Sequence, residues 1–196
     1  RVRIGQGSGT SGQHERSVAI GYYSGHSSQR RYSVSIGDYA GHNQQNQFCV
    51  AIGHNAGHYQ HHEHSVAIGN HAGYNQHNLA VAIGYYAGYS TQRGHAVAIG
   101  YQAGRSNQYA HSIAIGEAAS YHSQHSQSYS YGYYAGHNHQ RHNSVAIGTH
   151  AGHEQIRDNA IAIGTHAGYH HLHNQSIAIG HYAGTGQMDS HSIAIG

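Results

Sequence analysis

The chain has 196 residues, of which only 8% are charged; its net charge is +2 with His neutral, and Trp, Pro and Lys are absent. One large domain or two small ones fit in that length, and the charge balance excludes the clustered basic face of a nucleic-acid binder. No apolar run approaches the ~20 residues of a membrane span, and a single cysteine, Cys49, excludes an intrachain disulfide framework. With 28 Gly, 25 His, 18 Tyr and few large aliphatics, the composition alone resembles a disordered chain. That reading fails if the aliphatics stand in strict register.

They do. Numbering from the residue two before each Ile-Gly, position 1 falls at Val2, Val18, Val34, Val50, Val66, Val81, Val97, Ile113, Tyr129, Val145, Ile161, Ile177 and Ile193. The step is 16 residues throughout, except for 15 between Val66 and Val81. Twelve complete units and the start of a thirteenth make residues 1–196 one continuous repeat domain. Since the chain opens and closes inside a repeat, it reads as a fragment of a longer fibrous chain. Position 3 is Ile except at Tyr131, position 4 is always Gly, position 7 is Ala or Ser, and position 8 is Gly except at Ser120. Position 16 is Ser, Ala or Cys49, and positions 9 to 15 are polar, most units carrying a Gln at position 11 or 12.

Val-Ala-Ile alternates with period 2 and reads as a short strand. The Gly columns supply corners. Strand, corner, second segment and corner describe one coil, so the expected fold is all-β: a parallel β-solenoid of about twelve 16-residue coils, stacked about 4.8 Å apart into a rod of roughly 55–60 Å. Alternation separates positions 1 and 3 from position 2. The expected structural core is Val18, Ile20, Val34, Ile36, Val50, Ile52, Val66, Ile68, Val81, Ile83, Val97 and Ile99. The expected packing face is the near-constant position 2 (Ala19, Ala51, Ala67, Ala82, Ala98), covered by a second layer of the same coil or by a neighbouring chain. Two large aliphatics per coil, worth roughly 3–6 kcal/mol, fall short of the roughly 16–32 kcal/mol of backbone ordering. A second buried face, and hence an oligomer of coils lying side by side, is expected.

Ser-Val-Ala-Ile-Gly at 17–21, 65–69 and 144–148, with Ser-Ile-Ala-Ile-Gly at 112–116, 176–180 and 192–196, resembles the head repeat of YadA-like trimeric autotransporter adhesins. It is also similar to tail-fibre repeats of phages and large DNA viruses. The resemblance implies a left-handed parallel β-roll, a homotrimer, an extracellular place on a cell or virion surface, and binding by an extended face to a host-surface protein or glycan. The bacterial repeat is shorter, and no neck, stalk or anchor accompanies it here. The family has no catalytic residues to carry over. Ile-Gly-x-x-Ala, as at 83–87, also fits the hexapeptide rule of β-helix acyltransferases, which need three such hexads per coil where this chain has one.

His and Tyr recur in columns. Position 9 includes His26, His42, His58, Tyr74, Tyr89, Arg105, Tyr121, His137, His153 and Tyr169; position 6 includes Tyr23, Tyr39, His71, Tyr86, Tyr134, His150, His166 and Tyr182. Stacked coils turn such columns into ladders, which stiffen the rod or form an adhesive, self-associating surface. The clusters His58, His61, His62, His64 and His170, His171, His173 are candidate ligands for Zn, Cu or Ni; no other cofactor is implied. Rows of His predict loosening below about pH 6. Seven acidic residues, no repeated Ser-His-Asp arrangement and no phosphate loop argue against an enzyme. Ice binding would need a Thr ladder, and only Thr149 and Thr165 share a column. In the coil carrying Tyr129 and Tyr131, two tyrosines at core positions should overfill the interior. The 15-residue unit should shorten its polar loop. The expected function is a structural or adhesive surface-fibre segment partnered by copies of itself as homotrimer or filament, without membrane insertion. Its rival is a self-assembling filament with no separate ligand.

Overall fold

The computed structural model describes residues 1–196 as strands and turns alone, with no helix. Thirteen three-residue strands, from Val2–Ile4 through Val18–Ile20 and Val34–Ile36 to Ile193–Ile195, stack in sequence order as one parallel sheet. Every pairing joins like columns: Val18 faces Val34, Ala98 faces Ala114, and Tyr131 faces Ile147. On the other side of the coil a second ladder runs through Gln44–Gln45, Gln60–His61 and Asn75–Gln76, continues as single bridges at Gln92 and Gln108, and resumes from Ser123–Gln124 to His171–Leu172. Each 16-residue unit is therefore one turn of a parallel β-solenoid. No helix is long and apolar enough to cross a membrane.

Backbone groups bond almost entirely to the neighbouring turn. In the second turn, Val18 N–H donates to Ser33 O at 3.0 Å, Gly25 to Ala40 at 2.8 Å, Ser27 to His42 at 2.8 Å and Arg30 to Gln45 at 2.8 Å. Parallel stacking thus satisfies corners as well as strands, which a polar, Gly-rich chain requires. The position-4 glycines cannot be replaced. Gly100 sits at φ +130°, and a Cβ there would lie 2.6 Å from the carbonyl oxygen of Gly116 in the next turn.

The interior inverts the expected sides of the strand. Alternation holds, but Ala19, Ala51, Ala67, Ala82 and Ala98 point inward with no exposed surface. The residues expected as core (Val18, Ile20, Val34, Ile36, Val50, Ile52, Val66, Ile68, Val81, Ile83, Val97 and Ile99) are half-buried on the outside. The reason is the width of the coil. Two Gly corners in 16 residues enclose a channel that two rows of Ala (positions 2 and 7), one of Ser or Ala (position 16) and one long side chain (position 12) already fill. Tyr129 and Tyr131 accordingly overfill nothing: they project outward, 43% and 61% exposed, while Ser130 faces in. The 15-residue unit does shorten its loop. Gln60 pairs with Asn75 and His58 still stacks on Tyr74, so the missing residue is at position 10.

Ala98→Leu should lower stability to urea by about 1–3 kcal/mol or more through overpacking. Ile99→Val, one residue on but outside, should cost under about 0.5 kcal/mol. The opposite ranking would return Ile to the interior.

Candidate interaction surface

The position-12 side chain is the long filler of the channel. Gln13, Gln29, Gln45, Gln76, Gln92, Gln108, Gln124 and Gln140 are all buried there. Within an unbroken run each amide nitrogen donates both to its own turn and to the next. Gln108 Nε2 reaches the Val97 carbonyl of its own turn at 2.7 Å and Gln124 Oε1 of the next turn at 3.1 Å; Gln92 repeats this to Val81 at 2.7 Å and Gln108 at 3.0 Å. The column then becomes apolar at Ile156, Leu172 and Met188. The three exceptions to Ala at position 2 serve this ladder: Arg3 Nε donates to Gln13 Oε1 at 2.5 Å, Ser35 Oγ to Gln45 Oε1 at 2.5 Å and Ser130 Oγ to Gln140 Oε1 at 2.6 Å.

Three outer faces remain. The long sheet presents two rows of Val and Ile, half-buried in most turns, with Ile147 and Ile179 about two-fifths exposed. The corner formed by positions 5, 6 and 9 is aromatic. His42 stacks on His58 at 5.0 Å and 7°, His58 on Tyr74 at 5.1 Å and 6°, His137 on His153 at 5.1 Å and 13°, and His153 on Tyr169 at 4.9 Å and 3°. Arg105 continues the row, its guanidinium 5.2 Å from the Tyr121 ring and 5.9 Å from that of Tyr89. The parallel row at position 6 pairs His71 with Tyr86 at 4.7 Å, His150 with His166 at 5.0 Å and His166 with Tyr182 at 4.8 Å. Rings stacked along the rod turn their edges, not their faces, to solvent. The surface therefore offers hydroxyls and ring nitrogens at strand spacing. The third face, positions 11 and 13, carries amides, Arg and His. A cleft of about 400 Å³ at its edge, over positions 13 to 15, is lined by His14, Arg30, Arg31, Tyr32 and Gln47, a polar lining unlike the apolar walls of small-molecule pockets.

The position-6 and position-15 residues sit in the left-handed region in every turn: Tyr86 at φ +54°, Gln102 at +55°, His150 at +53°, Phe48 at +58°. Each costs about 1–2 kcal/mol relative to right-handed geometry. Ring stacking, worth about 0.5–1.5 kcal/mol per pair, offsets that strain wherever neighbours are aromatic, as for Phe48 between Tyr32 and His64.

The candidate metal clusters are not brought together. His58 lies in the position-9 ladder and His61 points into the channel; His62 stacks on His77, and His64 stacks on Phe48. A solenoid sends consecutive residues to different sides, so adjacency in sequence disperses ligands rather than gathering them. His170 and His171 pair with Glu154 at 3.2 and 3.9 Å, while His173 stands in another column, and no group of three or more His, Cys, Asp or Glu is placed to share a metal ion. His61 is the one wholly buried histidine. The signal was its place at position 12, the Gln column.

Burial depresses the ladder histidines. His58 and His153 fall to about 4, chiefly by desolvation and then by the neighbouring ladder His, and His42, His71, His137 and His150 shift the same way. The inward Nδ1 atoms of His58, His150, His153 and His166 have no hydrogen-bond partner, so a proton there would have nothing to donate to. Cys49 is a free, buried thiol pushed up by burial. No protein-family model, curated protein or solved structure matches this chain.

Neutral imidazole is the form the folded ladders accept. Their contribution is complete above the free value near 6.5 and is lost as the pH falls toward 4. The melting temperature should be flat from pH 8 to about 6.5 and decline below it; a flat profile down to pH 4 would contradict the ladder burial. At position 6, Gln102→Asn should raise stability by a few tenths to about 1 kcal/mol, because Asn tolerates the left-handed region and Gln102 has no stack to lose. His150→Asn should lower it, since His150 stacks on both Tyr134 and His166. Urea unfolding of the two variants checks the opposite signs.

Proposed function

We propose that this chain is a rigid segment of a surface fibre, in which solenoids pack side by side through the Val/Ile face and present the Tyr/His ladders outward as the contact surface. One observation carries the reading: two rows of partly exposed aliphatic side chains, interrupted only by Tyr129 and Tyr131, run the length of the thirteen-stranded sheet. Monomeric soluble proteins rarely leave a contiguous apolar surface of that kind uncovered. Its natural cover is a second copy, because only another stack with the same strand spacing can match ridge to groove over twelve turns. Copies related by a closed rotation bring like columns together, and Tyr129 and Tyr131 then meet their counterparts from the neighbouring chains. The resemblance of Ser-Val-Ala-Ile-Gly to adhesin head repeats supports three copies and an extracellular position. The aromatic ladders suit an adhesive role, since Tyr is enriched in interface cores and its exposed hydroxyl edges, with ring nitrogens, offer hydrogen bonds to a protein or glycan.

Light scattering coupled to size exclusion should give a species of three times the 21.1 kDa chain mass. Ile99→Asp combined with Ile163→Asp should convert it to monomer while the far-ultraviolet strand signal persists. A wild-type chain that stays monomeric at tens of micromolar would overturn the packing.

A further inference from the structure

His61 occupies a Gln position of the buried ladder and is wholly inside the channel. The bonds of the ladder stop there. Gln45, in the turn before, makes no bond to it; both ring nitrogens of His61 are buried without a partner, and so is Oε1 of Gln76 in the turn after. The other break in the ladder leaves no orphan. Gln140, next to Ile156, keeps its Nε2 on the Tyr129 and Ser144 carbonyls at 2.9 and 3.1 Å, and its Oε1 receives hydrogen bonds from Gln124 at 3.2 Å and Ser130 at 2.6 Å. Gln45 receives one from Ser35. Gln76 has Ala67 at position 2 and receives none. The following turn, 66–80, is also the one short turn of the rod, and Asn75 Oδ1 in it is a further buried orphan. Four irregularities, namely the buried His, the broken ladder, the uncompensated Gln76 and the missing residue, thus fall on two successive turns.

We propose that turns 50–65 and 66–80 form a built-in joint of the rod, which opens locally in acid when His61 is exposed and takes up a proton. Cys49 lies in the preceding turn, its Sγ 2.8 Å from the His62 carbonyl oxygen and 3.6 Å from that of His61. Its thiol is the other titratable side chain in that part of the channel. Glu63 is exposed, while His58 and His62 on the same turn, His42 on the turn before and His77 on the turn after stand in the outer ladders. No carboxylate is buried with His61 to stabilise the imidazolium. Burial holds its value down at about 3, opposed only in part by the neighbouring Gln76 side chain, which lies too far or too poorly aligned for a hydrogen bond. The closed joint therefore excludes the proton that the open joint accepts near 6.5, and the open-to-closed ratio rises up to tenfold per pH unit between those values. Opening at this place would divide the rod into two stiff arms without melting either.

Cys49 serves as a native reporter. Its labelling by a dipyridyl disulfide, which reacts in acid, would be measured from pH 7 to 4.5 and normalised to a free-thiol peptide. The joint predicts an increase of up to about fiftyfold between pH 6.5 and 4.5. His61→Gln, which restores the ladder residue, should remove most of that increase, as should His61→Leu, which copies Leu172. In a Cys49→Ser chain, Ala96→Cys places a thiol at the same column of an uninterrupted part of the rod and should show a much smaller increase. Equal increases at positions 49 and 96 would mean general acid loosening, and an unchanged increase in both His61 variants would mean that another group takes the proton. Either result overturns the joint.

Discussion

The amide of the buried glutamine is the constraint on which the rest of the rod depends. One Nε2 group ties the two walls of its own turn together, through a carbonyl eleven residues back, and ties that turn to the next, through an amide oxygen sixteen residues on. Ala rows contribute little apolar surface, so over most turns a hydrogen-bonded polar strip takes the place of a hydrophobic spine, giving way to Ile156, Leu172 and Met188 in the last turns. In a dry channel such bonds reinforce one another, and a break in them is costly for the same reason. Ser35, Ser120 and Ser130 are small enough for the Ala and Gly columns, and their hydroxyls add donors to Oε1 of the last glutamine of each run.

Much of this was legible in the sequence. The 16-residue step, the parallel like-on-like register, the Gly corners and the shortened loop of the 15-residue unit all follow from column arithmetic, because a parallel solenoid maps sequence period directly onto spatial neighbours. The sense of the strand was not legible. Period-2 alternation states that Val97 and Ile99 oppose Ala98 but is symmetric as to which side is in, and the usual preference for large aliphatics inside points the wrong way when the channel is too small to admit them. The glutamine column was hidden for a related reason. Gln at position 11, as at Gln60 and Gln155, is exposed, whereas Gln at position 12 is buried. A reading that merges the two columns sees only a polar loop. The His clusters misled because proximity along the chain means dispersal around the coil.

The outer surface follows from the same economy. Every turn after the first holds non-glycine residues in left-handed geometry at positions 6 and 15. Asn, which tolerates that region best, is used there only in part, as at Asn55, Asn143 and Asn159. Tyr, His and Phe occupy many of the others, where a ring gains a parallel neighbour above and below. Local preference is sacrificed to a long-range order that exists only once the turns are stacked. An isolated turn would have the strain and none of the stacking, so formation of the rod should be strongly cooperative along its axis.

The loss of one residue at position 10 of turn 66–80 leaves the backbone register of the strands on either side unchanged. Spacing along the axis is set by backbone pairing alone, at about 4.8 Å for each turn, whatever the corner does. Reach is therefore quantised. Duplicating or deleting one whole unit changes the length of the rod by a fixed increment.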